Sequence, residues 1–122
     1  MAESFPFMVP GATSSREAMV WACYDGAEIG TVPMADGAAV DKALETASRL
    51  FKNRDGWLSV EKRIDILEKT AELMAQRFDM LAVEAAREGG KPLPDSQVEV
   101  ARAIDGVKLC IETLRTQHGS EI

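Results

Sequence analysis

Histidine and cysteine are scarce in this chain. Among 122 residues there is 1 His, His118, and there are 2 Cys, Cys23 and Cys110. No C-x-x-C or H-x-x-x-H spacing occurs, so no metal site is expected. Two distant thiols in a chain without a visible export signal read as reduced thiols rather than a disulfide. Met1 to Pro10 has neither a basic region nor a long apolar stretch, so no secretory signal is visible. Positive charge is also short. Against 20 Asp and Glu stand 14 Lys and Arg, a net charge of −6, and such a surface does not displace counterions from nucleic-acid phosphates. Apolar runs fall well below the roughly 20 residues that span a bilayer. The expected location is the cytoplasm, with neither nucleic acid nor membrane as partner.

Phosphate loops are missing as well. Glu88-Gly89-Gly90-Lys91 fails as a P-loop, because Ala85 stands where Gly is required and Pro92 where Ser or Thr is required. No G-x-G-x-x-G opens a helix, which removes the dinucleotide fingerprint and leaves no cofactor-binding residue in this chain. Gly89-Gly90 reads instead as a helix stop.

What is present suits a folded domain: 46% of the residues are hydrophobic and 28% charged. Residues 1–21, with Pro6, Pro10, Gly11 and a polar run from Thr13 to Glu17, read as an irregular arm. Met19 to Tyr24 and Glu28 to Met34 flank Asp25-Gly26, the signature of an antiparallel hairpin. From Asp36 the period becomes helical. Val40, Ala43, Leu44, Ala47, Leu50 and Phe51 share one face of a helix over 36–53, capped by Asp36. A second helix over 59–88 starts at Ser59 and carries the stripe Val60, Ile64, Leu67, Ala71, Met74, Phe78, Leu81 and Ala85. A third, over 95–118, carries Val98, Ala101, Ile104, Val107, Ile111 and Leu114. The fold class is therefore mainly α with an N-terminal β-hairpin and three amphipathic helices.

The residues able to do chemistry form no constellation. Nucleophilic catalysis needs a thiol or hydroxyl beside a base. Cys110 lies among apolar positions and reads as a small buried hydrophobe. Cys23 has no basic neighbour in sequence to lower its pKa. His118 falls in the last turn of the third helix, where it suits the carbonyl end of the dipole. Trp21 and Trp57 read as packing anchors, and the carboxylates Glu84 and Glu88 as a solvated helix face. No catalytic residue is assigned.

Glu88-Gly89-Gly90-Lys91-Pro92 followed by Glu99-Val100-Ala101-Arg102-Ala103 resembles the E-x-G-K-P…E-V-x-R-A segment near the front of aldehyde dehydrogenases. Tyr24-Asp25-Gly26, Ile29-Gly30 and Val32-Pro33 resemble the family's opening hairpin. Val40-Asp41 with Ala43 and Ala47 resembles its first helix, and Arg63 with Ile66-Leu67 and Ala71 its second. The likeness runs over residues 22–122. Two departures are visible: Cys23 stands where the family usually has Pro, and Phe51 and Trp57 are separated by a longer linker.

The resemblance implies the N-terminal part of an α/β cofactor-binding domain, in an enzyme that oxidises an aldehyde with NAD or NADP. In that family the nucleophilic Cys, the Glu base and the dinucleotide loops come later in the chain, so neither Cys23 nor Cys110 inherits a catalytic role. The isolated chain is expected to be an inactive fragment. The branch acting on small anionic aldehydes uses the Arg of E-V-x-R to hold the substrate's anionic group. By that resemblance Arg102 is the candidate substrate-binding residue, its guanidinium offering forked donors to an oxyanion. The rival reading of Arg102 is a polar helix face or a pair with Glu99. The rival reading of the whole chain is a stand-alone helical interaction module that self-associates or docks on a full-length relative.

Overall fold

A computed structural model describes residues 3–119. Contacts divide the chain into two units at Trp57/Leu58. The first contains strands β1 (Glu3–Ser4), β2 (Glu17–Trp21) and β3 (Glu28–Pro33), helix α1 (Gly37–Lys52) and a 3₁₀ turn (Arg54–Gly56). The second contains α2 (Val60–Gln76), α3 (Phe78–Gly89) and α4 (Leu93–Thr116).

In the first unit β2 and β3 form the expected antiparallel pair, with Met19 opposite Thr31 and Val20 opposite Gly30. The turn between them is wider than a two-residue Asp-Gly reversal. The Ala22 N–H donates to the Ala27 carbonyl at 2.8 Å and the Gly26 N–H to the Ala22 carbonyl at 3.0 Å. Gly26 takes a φ of 69°, which glycine adopts without a Cβ penalty, while Asp25 Oδ1 accepts the Ala27 N–H at 3.0 Å.

Residues 3–21 of the arm are more regular than their composition suggests. They supply β1, which pairs in parallel with β3, and they contain all of β2, giving a sheet of order β1-β3-β2. The Ser14 hydroxyl lies 2.6 Å from the Met34 carbonyl, tying the segment before β2 to the end of β3. Such pairing is set by the partner strand and leaves little trace in local composition.

Asp36 caps α1 as expected, its Oδ1 accepting the Ala39 N–H at 2.8 Å. The apolar stripe of α1, however, forms no core within this unit: Val40, Leu44, Leu50 and Phe51 are all exposed, Leu44 at 63%. Periodicity fixes which side chains share a face, but a face needs a partner before it is buried. At the end of α1 the 3₁₀ turn folds Trp57 back. Its Nε1–H donates to the Leu50 carbonyl at 3.3 Å, and the Arg54 guanidinium sits 4.4 Å from the Phe51 ring and 4.1 Å from the Trp57 ring. Trp57 thus anchors this turn although it, like Trp21, is half exposed, and Trp21 makes no comparable ring or hydrogen-bond contact.

In the second unit Ser59 caps α2 through its Oγ, which accepts the Lys62 N–H at 3.2 Å. Glu61, in the first turn, has its carboxyl held below the ordinary value, first by its own backbone N–H and then by the Ser59 side chain. The single helix expected over 59–88 is two. At Arg77 the backbone departs from helical values (φ −105°, ψ 18°), and its N–H is shared between the Leu73 and Met74 carbonyls at 3.1 and 3.2 Å. No Pro or Gly marks the break, and the stripe Met74, Phe78, Leu81 runs through it undisturbed. The bend lets both pieces lie against α4.

Gly90 then stops α3 in the left-handed conformation, φ 67°, with its N–H donating to the Ala86 carbonyl at 2.9 Å. The core of this unit is Ala71, Ala82, Val100 and Ile104, ringed by Met74, Phe78, Leu81 and Val107.

The stripe of α4 is rotated in its first half. Ser96 and Val100 are the buried positions there, while Val98 and Ala101 face outward. A polar Ser at 0% exposure is what hides this face from a hydrophobicity reading. Cys110 is consequently exposed. It lies one residue, about 100°, from the buried Ile111, off the line that continues through Ile104 and Val107. Finally, α4 ends two residues before His118, which still reaches back, its Nδ1 2.6 Å from the Thr116 carbonyl.

Candidate functional site

Helix α4 places Asp95, Val98, Glu99 and Arg102 on one face, at i, i+3, i+4 and i+7. Lys91 reaches the same face from the short link after the Gly90 cap. Together these five side chains line a shallow recess of about 410 Å³. Lys91 Nζ lies 2.8 Å from Glu99 Oε1 and 2.7 Å from Oε2, a two-pronged bond. The other acid one turn from Arg102, Asp105, bonds Lys108 at 3.3 Å. Arg102 is exposed and pairs with neither acid. Of the rival expectation, the Arg102–Glu99 pair is not what the structure contains, while the polar helix face is. An exposed, unengaged guanidinium offers five donors to an oxyanion. The recess contains no thiol or hydroxyl to act as a nucleophile.

The other chemistry-bearing residues are not gathered here. Cys23 lies at the hairpin tip and Cys110 on the outer face of α4, both exposed thiols. Glu84 faces solvent beside Arg87. The glycine pair before Lys91 does not fit a pyrophosphate: Gly90 closes the carbonyl end of α3, and the next helix opens at Leu93 between Pro92 and Pro94, neither of which has an N–H to donate.

A second recess, about 470 Å³, runs between α2 and α4, with Ala71, Ala75, Ile104 and Ile111 in its lining. At its rim Arg115 bonds both Glu68 at 2.8 Å and Glu112 at 3.0 Å. Glu72, also on the rim, has its carboxyl lowered chiefly by a hydrogen bond from Lys69. This groove exists only because two helices distant in sequence meet, and no local motif announces it.

These features define a mixed segment with an exposed Arg102 in a charge-balanced recess and no dinucleotide loop among the described residues. The aldehyde dehydrogenase family model matches residues 10–122. The chain belongs to the aldehyde dehydrogenase family. It is 34% identical over 110 residues to the aldehyde-dehydrogenase-like protein y4uC of Sinorhizobium fredii, covering 88% of this chain and 21% of that protein. It is also 34% identical over 89 residues to N-succinylglutamate 5-semialdehyde dehydrogenase of Burkholderia cenocepacia, covering 71% of this chain and 18% of that enzyme. Among solved structures, aldehyde dehydrogenase 21 from Physcomitrella patens, in complex with the reaction product succinate, matches the whole chain with a TM-score of 0.87 at 23% identity, over 26% of its own length. The chain thus spans about a fifth of the curated relatives it matches. No helix among the described residues is long and apolar enough to cross a membrane.

Proposed function

We propose that this chain is the N-terminal part of the cofactor-binding domain of a cytoplasmic aldehyde dehydrogenase. The complete enzyme oxidises an aldehyde to a carboxylate with NAD or NADP, residues 1–122 alone catalyse nothing, and Arg102 holds an anionic group of the substrate. The observation that carries this reading is the unengaged Arg102 guanidinium in its recess, within a segment that matches the family. A relative that acts on N-succinylglutamate 5-semialdehyde, a molecule bearing carboxylates, supports an anionic substrate. The purified chain, assayed at 340 nm with NAD or NADP and either succinic semialdehyde or propionaldehyde, is expected to give no absorbance rise above buffer. Turnover that copurifies with the chain and vanishes on Cys110→Ser overturns the proposal.

A second reading is a helical module that self-associates or docks on a full-length relative. The exposed Val40, Leu44, Leu50 and Phe51 of α1 favour it, because contiguous apolar surface on a monomer marks an interaction site. The stripe of α4 contributes less than its sequence suggests, since Ile104 is spent on the core of its own unit. Sedimentation is expected to show a mass that rises with concentration above that of one chain. Leu44→Glu with Phe51→Glu is expected to return it to a single chain. A constant single-chain mass at high concentration sinks the self-association reading.

A further inference from the structure

Two acids stand one helical turn from Arg102, and each is held by a lysine: Glu99 by Lys91 and Asp105 by Lys108. On a helix an acid and an arginine three residues apart are natural partners, so Arg102 would be masked if its neighbours were not engaged. The two lysines are not equivalent. Lys108 makes a single 3.3 Å contact within α4, whereas Lys91 comes from outside the helix and grips both oxygens of Glu99 at 2.7–2.8 Å. The recess holds Lys91 and Arg102 against Asp95 and Glu99, so its formal charges cancel. We infer that Lys91 is a positioning residue for the anion site: by holding Glu99 in a two-pronged bond it keeps Arg102 available. This inference rests on the proposed anion-binding role of Arg102. It gives the Lys of the post-helix link a task of its own, with no contact to the ligand.

The test uses the 122-residue chain with inorganic phosphate as probe, at constant ionic strength, following the Arg102 Nε–Hε resonance by NMR. Lys91→Met releases Glu99 toward Arg102 and leaves an uncompensated negative charge beside it. Phosphate binding is expected to weaken roughly three- to tenfold, from an added like charge at short range and a new helix pair. Lys91→Arg is expected to bind like the parent. In a Glu99→Gln background Lys91→Met is expected to change binding less than about twofold, because the acid it restrains is gone. A Lys91→Met loss that persists in that background makes Lys91 a direct ligand and overturns the inference. Parent-like binding by Lys91→Met also overturns it, and leaves the Arg102 reading intact. Absence of any phosphate response at Arg102 in the parent chain overturns the inference, while the role of Arg102 in the complete enzyme is decided by its own KM test.

Discussion

Ile104→Ala is expected to destabilise the α2–α4 unit by about 3 kcal/mol, the central cost of removing a buried branched side chain and leaving a cavity. Ile104 is only 8% exposed and belongs to the small cluster with Ala71, Ala82 and Val100. Two of these four are alanines, so Ile104 and Val100 supply most of the cluster's side-chain volume. A unit of this size has few other contacts to absorb the loss. Urea unfolding followed by helical circular dichroism checks this, with Leu109→Ala as control. Leu109 is on the same helix but 67% exposed, and its truncation is expected to stay within about 0.5 kcal/mol. Equal midpoint shifts for the two variants would show that the cluster is not the stabilising centre.

In the complete enzyme containing this segment, Arg102→Ala is expected to raise KM for an anionic aldehyde such as succinic semialdehyde by about tenfold or more. An ionic hydrogen bond to a ligand is worth about 1.5–3 kcal/mol, and each 1.4 kcal/mol is a factor of ten. For an uncharged aldehyde of similar length, KM is expected to change less than about twofold. An effect confined to KM marks binding made equally in ground and transition states. A matching fall in kcat would mean the contact tightens as the reaction proceeds. Arg102→Lys is expected to recover part of the loss, since an ammonium keeps the charge but not the fork. Equal losses on charged and neutral substrates would make Arg102 a structural residue of α4.

The helices were legible wherever a local signal exists. Asp36 and Ser59 cap the positions their chemistry requires, and Gly90 closes α3 in the one conformation glycine takes more readily than other residues. Three features were not legible. The break at Arg77 has no Pro or Gly to betray it, because both fragments keep the same apolar stripe and differ only in how each meets α4. The strand β1 depends on β3, some two dozen residues downstream. The buried face of α4 passes through Ser96, so a hydrophobicity reading turned the first half of the helix toward Val98 and Ala101 and placed Cys110 inside.

The site divides along the same line. Arg102 could be named from the segment Glu99-Val100-Ala101-Arg102 alone, and its spacing from Glu99 made a pair between them equally reasonable. Whether Arg102 pairs with Glu99 is a question of competition, and the rival for Glu99 is Lys91, eight residues earlier and outside the helix. Its reach depends on the Gly90 reversal and the angle at which α4 departs. Sequence by itself determined the family, the capped starts of α1 and α2, the hairpin pairing and the residues that share each helix face, because caps, turns and periodicity act within a few residues. Tertiary structure alone decided which faces are buried, where the long helix bends and which cation takes Glu99. Each of these is a contest between partners far apart in the chain, and only their distances in the folded molecule determine the outcome.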